Sequence, residues 1–127
     1  MSKRAIETPK AKAVGPYSAA IEAGDYVFLS GQTPLDPATG KLAVGDIAAE
    51  TRQCLTNLNA VLEAAGLTFA HVVKATVFLT SMADFAAMNE VYKQHFTAPY
   101  PARSTIGVAA LPLGARVEIE LVAYRGN

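Results

Sequence analysis

Arg103 follows the stiff segment Pro99-Tyr100-Pro101-Ala102 and opens a stretch of strand-forming residues that runs to Val108. A guanidinium held at a strand start can grip a planar carboxylate through two parallel hydrogen bonds. Glu118 lies on the last alternating stretch, Arg116 to Tyr124, as a carboxylate able to take a proton from water beside a fixed cation. Two readings stay open for these charges. They form either a ligand clamp with a general base, or a surface ion pair between Arg103 and Glu118 or Glu120. Tyr17, directly after Gly15-Pro16, brings a phenol that serves either a ligand or packing.

Other familiar chemistry is excluded by inventory. His71, His95 and Cys54 lie far apart without metal-ligand spacing, so no zinc site is expected. No GxGxxG and no phosphate-cradling glycine loop occurs, which removes the usual dinucleotide and nucleoside triphosphate sites. His95 suits a helix end and His71 precedes a strand; both read as structural or exposed. Cys54 falls on an apolar helical stripe beside Leu55 and Leu58 and reads as a buried, inert thiol. Eleven basic residues balance eleven acidic ones, and the pI is about 6.7, so attraction to nucleic acid or an anionic membrane is not expected. The longest uncharged run, Ser104 to Ala115, has 12 residues including Pro112, short of the roughly 18 needed to span a membrane. The lone cysteine excludes an internal disulfide, and Lys3 and Arg4 fall too early for a signal-peptide apolar core. A reducing cytosol is the expected location.

The elements that must position these residues form one domain over 1–127, because a 13.3 kDa chain is too small for two cores. The basic opening (Lys3, Arg4, Lys10, Lys12) is expected to be solvated and loosely held. Tyr17 to Ile21 and Tyr26 to Ser30, split by Ala23-Gly24-Asp25, read as a β-hairpin. A loop with Pro34, Pro37 and Gly40 follows. From Asp46 the period changes: Ile47, Thr51, Cys54, Leu58, Val61, Leu62 and Ala65 recur at steps of three and four, predicting a helix capped by Asp46 and ended by Gly66. Val72 to Thr80 reads as a strand apolar on both faces. Ser81-Met82-Ala83-Asp84 has capping-box form and opens a second helix with Phe85, Met88, Tyr92 and Phe96 on its inner face. In the final strand, Glu118 and Glu120 point away from Val117, Ile119, Leu121 and Ala123.

The order ββαβαββ implies an α+β layer pair, a mixed sheet of about six strands with both helices on one face. The other face then lacks a cover within the chain. Charged residues are only 17% of the sequence, against about 25% for a typical soluble domain, so self-association through that face is expected.

Gly15-Pro16-Tyr17-Ser18, Leu29-Ser30-Gly31-Gln32-Thr33-Pro34, Pro101-Ala102-Arg103-Ser104, Leu111-Pro112 and Val117-Glu118-Ile119-Glu120 closely resemble the signature segments of the reactive-intermediate deaminase family, RidA or YjgF. The match runs from about Ala13 to Arg125. The resemblance implies a chorismate-mutase-like fold and a homotrimer with a central sheet barrel and three clefts between subunits. It implies cofactor-free hydrolysis of enamines and imines such as 2-aminoacrylate and 2-aminocrotonate to 2-oxo acids and ammonia, a 2-iminobutanoate/2-iminopropanoate deaminase activity. By the matching motifs, Arg103 clamps the substrate carboxylate, Glu118 activates water and Tyr17 donates at the substrate nitrogen. Ser30 and Gly31 shape the cleft wall, while Asn89 and Phe85 face the ligand. Thr105 stands where many members have cysteine, offering its backbone N–H but no thiol, and Gly107 replaces a frequent glutamate, which bears on side-chain selectivity.

Two other functions compete. Family members are also described as ribonucleases that inhibit translation, but a neutral chain with two scattered histidines and no aromatic-basic cluster is poorly equipped for RNA. A non-catalytic trimer binding 2-oxo acids would use the same Arg103 clamp.

Overall fold

The computed structural model describes residues 2–43 and 45–126. Ten main elements follow in order: β1 (Arg4–Ile6), β2 (Ala20–Ala23), β3 (Tyr26–Gln32), β4 (Leu35–Asp36), β5 (Lys41–Leu42), α1 (Ile47–Ala64), β6 (Val72–Leu79), α2 (Phe85–Tyr92), β7 (Ala102–Gly107) and β8 (Val117–Tyr124). Six strands form one mixed sheet in the order β1-β2-β3-β8-β6-β7, and β4 pairs with β5 as a separate ribbon. β6 and β7 are parallel, joined through α2, and the other pairs are antiparallel.

Helix α1 begins where Asp46 accepts a hydrogen bond from Ala49 N at 2.9 Å. It ends at Gly66, whose φ of +75° lets Leu67 N reach Leu62 O and Gly66 N reach Glu63 O. Both bonds satisfy carbonyls that the last turn leaves open. Its stripe of Cys54, Leu55, Leu58, Val61 and Leu62 is fully buried against Val117, Ile119 and Leu121 of β8 and Ala75, Val77 and Leu79 of β6. The Cys54 thiol lies 3.8 Å from Val117 O, and burial pushes its pKa well up, as an inert thiol requires.

The structure departs from three expectations. The opening segment is not loose: Arg4–Ile6 adds a strand to β2, Ile6 is buried and Arg4 pairs with Glu22. The hairpin strand begins at Ala20, leaving Tyr17 in the bend before it, because Pro16 and the Tyr17 N to Gly15 O bond hold a tight turn there. Ser81 caps a short 3-10 turn, Met82–Asp84, by accepting from Ala83 N, and α2 stops at Tyr92; Phe96 lies beyond the helix but stacks on Tyr92 at 4.5 Å.

Both helices cover one face of the sheet. The other face carries Phe28, Phe78, Ile106, Tyr26 and Tyr124, and all but Phe78 are more than two-fifths exposed. That is the uncovered apolar face expected from the strand patterns.

Candidate active site

Arg103 is level with Ala75 of β6, so its side chain leaves β7 on the helix-covered face. β7 is an edge strand, and the guanidinium reaches sideways to α2. Nη1 donates to Asn89 Oδ1 at 2.7 Å. Its Cζ lies 4.6 Å from the Tyr92 ring centroid and 5.7 Å from that of Phe85. Phe85, Asn89 and Tyr92 follow at steps of four and three, which stacks them on one face of the helix. The cation is therefore held by one hydrogen bond and two ring faces, and its other N–H groups are free to bind a planar carboxylate. Among the described residues Arg103 makes no ion pair. A cavity of about 260 Å³ beside it is lined by Asn89, Tyr92, Tyr100 and Pro101. Thr105, level with Val77, shares this face, and its buried hydroxyl has no partner.

Glu118 is level with Phe78, so it leaves β8 on the uncovered face. Here β3 carries an extra residue between Leu29 and Gln32, a bulge that pushes Ser30 and Gly31 out of regular pairing. Ser30 Oγ donates to Ser18 O at 2.6 Å and ties the bulge to the loop carrying Tyr17. A Cβ on Gly31 would collide with Glu118 Oε2 and lie 2.9 Å from Cδ, and Gly31 is not among the glycines with positive φ, so glycine stands here for space. Burial first, and the charge of Glu120 second, raise the Glu118 carboxyl above the usual range. Tyr17, Ser30, Gly31, Glu118 and Glu120 share a cavity of about 550 Å³.

The residues expected to act together thus fall into two groups. Arg103, Asn89, Phe85 and Thr105 belong to the helix side, and Tyr17, Ser30, Gly31 and Glu118 to the opposite side. The ion-pair reading of Arg103 with Glu118 or Glu120 is corrected by this placement, because β6 lies between the strands and the side chains point apart. Tyr92, a core residue by its helical spacing, also places its ring against Arg103, and the Phe85-Asn89-Tyr92 spacing carries that signal. Arg116, at the head of the last alternating stretch, has a positioning role that its place in the sequence does not signal. Its Nε donates to Glu50 Oε2 at 2.7 Å and its Nη2 to Gly45 O at 2.8 Å, which pins the start of β8 two residues before Glu118. Among the described residues no group of three metal-ligating side chains assembles, and no helix is long and apolar enough to cross a membrane.

Known proteins match this arrangement over nearly the whole chain. The family model described as Endoribonuclease L-PSP matches residues 7–125. The protein DfrA of Myxococcus xanthus is 52% identical over 97% of this chain and 96% of its own. A 2-iminobutanoate/2-iminopropanoate deaminase of Capra hircus is 50% identical over 98% of this chain and 91% of its own. The crystal structure of E. coli TdcF with bound serine superposes with a TM-score of 0.91 at 43% identity, covering 97% of this chain and 99% of that one. With the same α+β architecture and a family match over nearly its full length, the chain belongs to the RidA/YjgF family, the Endoribonuclease L-PSP family of that model.

Proposed function

We propose that this chain hydrolyses reactive enamine and imine derivatives of amino acids to 2-oxo acids and ammonia, in a homotrimer whose clefts combine the Arg103 side of one subunit with the Glu118 side of its neighbour. The observation that carries this reading is a preorganised guanidinium on one face and, on the other, a carboxylate held above its usual range that makes no ion pair among the described residues. One subunit alone keeps these groups apart, and the exposed aromatic face supplies the surface through which copies join.

In the joined cleft Arg103 binds the substrate carboxylate and fixes the C=N carbon near Glu118. A water on Glu118 attacks that carbon: its oxygen forms the new C–O bond, the C=N π pair moves to nitrogen and the water proton passes to the carboxylate. Tyr17 donates to the nitrogen as its charge builds. The proton held by Glu118 goes to nitrogen and gives a carbinolamine; Glu118 then takes the hydroxyl proton and passes it to nitrogen as well, so that the C–N bond breaks, ammonia leaves and the electron pair left on oxygen completes the C=O bond of the 2-oxo acid. A raised carboxyl pKa suits a base that must return its proton within one turnover. Ser30 and Gly31 form the wall, Phe85 and Asn89 support Arg103, and Thr105 offers its backbone N–H. The chemistry requires no cofactor, since the imine is already an electrophile.

The ribonuclease reading comes with the family's description, but in the larger cavity two carboxylates, Glu118 and Glu120, outnumber the one cation, Lys12, a poor balance for holding a phosphodiester. A serine dehydratase generating 2-aminoacrylate provides the test. Pyruvate release should accelerate when this protein is added; no acceleration, with pyruvate still bound in calorimetry, would leave the non-catalytic 2-oxo-acid binder instead.

A further inference from the structure

Among the described residues the two most exposed large apolar side chains are Val14, at 73%, and Leu113, at 71%. Both line the cavity that holds Tyr17 and Glu118. Leu113 is also the one described non-glycine residue with positive φ, at φ +61° and ψ +15° in the turn Pro112–Gly114. Leucine is poorly suited to that backbone, because its Cβ crowds the neighbouring carbonyl, whereas glycine or asparagine holds such a turn with less strain. Burial does not offset the strain, since the side chain is open to solvent. A strained, exposed aliphatic residue on the rim of a cavity is a candidate for contact with a ligand.

The same cavity is also lined by the polar Ser30, Glu118 and Glu120. On the deaminase reading above, on which this inference rests, a substrate has its carboxylate on Arg103 and its imine carbon over Glu118. Only its side chain is then left without a contact, and Val14 and Leu113 offer it apolar contacts in a lining that also holds Lys12, Gln32 and Thr33. We infer that Val14 and Leu113 form a side-chain subsite through which this chain selects imino acids with larger aliphatic side chains over alanine-derived and charged ones. Two carboxylates, Glu118 and Glu120, outweigh the one cation of the lining, Lys12, and disfavour an acidic side chain there.

The test compares imines made in place by an L-amino-acid oxidase from leucine, alanine and glutamate, together with calorimetric binding of 4-methyl-2-oxopentanoate and pyruvate. The wild-type protein should favour the leucine-derived imine and the larger oxo acid. In Leu113→Asn, which keeps a residue tolerant of the left-handed backbone, both leucine-to-alanine ratios should fall about tenfold, as for a lost contact in an apolar pocket. Equal losses on all substrates would overturn the subsite. A fall in sedimenting mass would also overturn it, by placing Leu113 between copies. If no imine is hydrolysed by the wild-type protein, the deaminase reading fails and the binding ratio decides alone: preference for the larger acid, lost in Leu113→Asn, sustains the subsite, and equal affinities remove it. Should Leu113→Asn fail to fold, Val14→Ser carries the same comparison.

Discussion

Arg103 and Glu118 leave the same sheet on opposite faces, with β6 between their strands: Arg103 is level with Ala75, Glu118 with Phe78. A strand's side chains alternate in direction, so no rotamer change in one subunit brings these two groups onto one side. Arg103 is held by Asn89 and the Tyr92 ring, and the absence of a side chain at Gly31 leaves the space that the Glu118 carboxylate occupies. Two half-sites built with this care and kept apart make sense when the neighbouring copy supplies the other half.

Arg103→Lys keeps the charge and loses the fork that binds a carboxylate through two parallel bonds while a third N–H reaches Asn89. Pyruvate affinity should fall at least about tenfold, the value of a lost charge-assisted hydrogen bond, with turnover falling alongside and the assembly keeping its mass. Calorimetry and sedimentation read the two effects separately. Retained affinity would remove the clamp from the mechanism.

Glu118→Gln should leave oxo-acid binding intact and lower turnover by about a hundredfold to ten-thousandfold, because the amide cannot take the proton from water. The pH profile gives a finer check. On the proposed mechanism the carboxylate must be ionised, so activity should fall as pH drops through the Glu118 pKa. The charge of Glu120 helps to raise that pKa. Glu120→Gln should therefore move the acid limb of kcat/KM to lower pH, and an unmoved limb would assign it to another group.

At Gly31 space is the constraint. A methyl group there meets Glu118 Oε2 and Cδ, the far end of a flexible side chain, so the carboxylate can swing away and the fold can persist. Gly31→Ala should lose about a hundredfold in turnover, the scale of a displaced catalytic group, with little change in thermal midpoint. Wild-type rates in this variant would show that the water is held elsewhere.

The two helices and the last strand were legible because each repeats its signal over many residues: α1 through its stripe from Ile47 to Ala65, β8 through strict alternation from Val117 to Ala123. β1 was not, since three residues with one buried apolar member, Ile6, have no period to detect. The site residues were legible one at a time, from motif resemblance and from their place at strand ends. Their relative placement was not. It depends on the parallel register of β6 with β7 and on the bulge at Ser30 and Gly31, both set by pairing between segments distant in sequence. A shift of one residue in either ladder would put Arg103 or Glu118 on the other face, and nothing local to either residue records that choice.

The shared-cleft arrangement makes a prediction that no single variant can. Arg103→Ala and Glu118→Gln each damage every cleft when expressed alone, one lacking the clamp and the other the base. If each cleft takes its arginine from one subunit and its glutamate from the next, mixed trimers contain clefts that receive Arg103 from a Glu118→Gln subunit and Glu118 from an Arg103→Ala subunit. Every mixed ring of three, whether two to one or one to two, contains one such cleft, so about a third of its clefts are restored. Co-expression with two affinity tags isolates the mixed species, and the deaminase rate on 2-aminoacrylate per cleft should recover to that fraction, well above either parent. A mixed assembly as inactive as its parents, with both variants shown to be present in one particle, would mean that Arg103 and Glu118 do not meet across a subunit boundary, and the division of the site between faces would need another purpose.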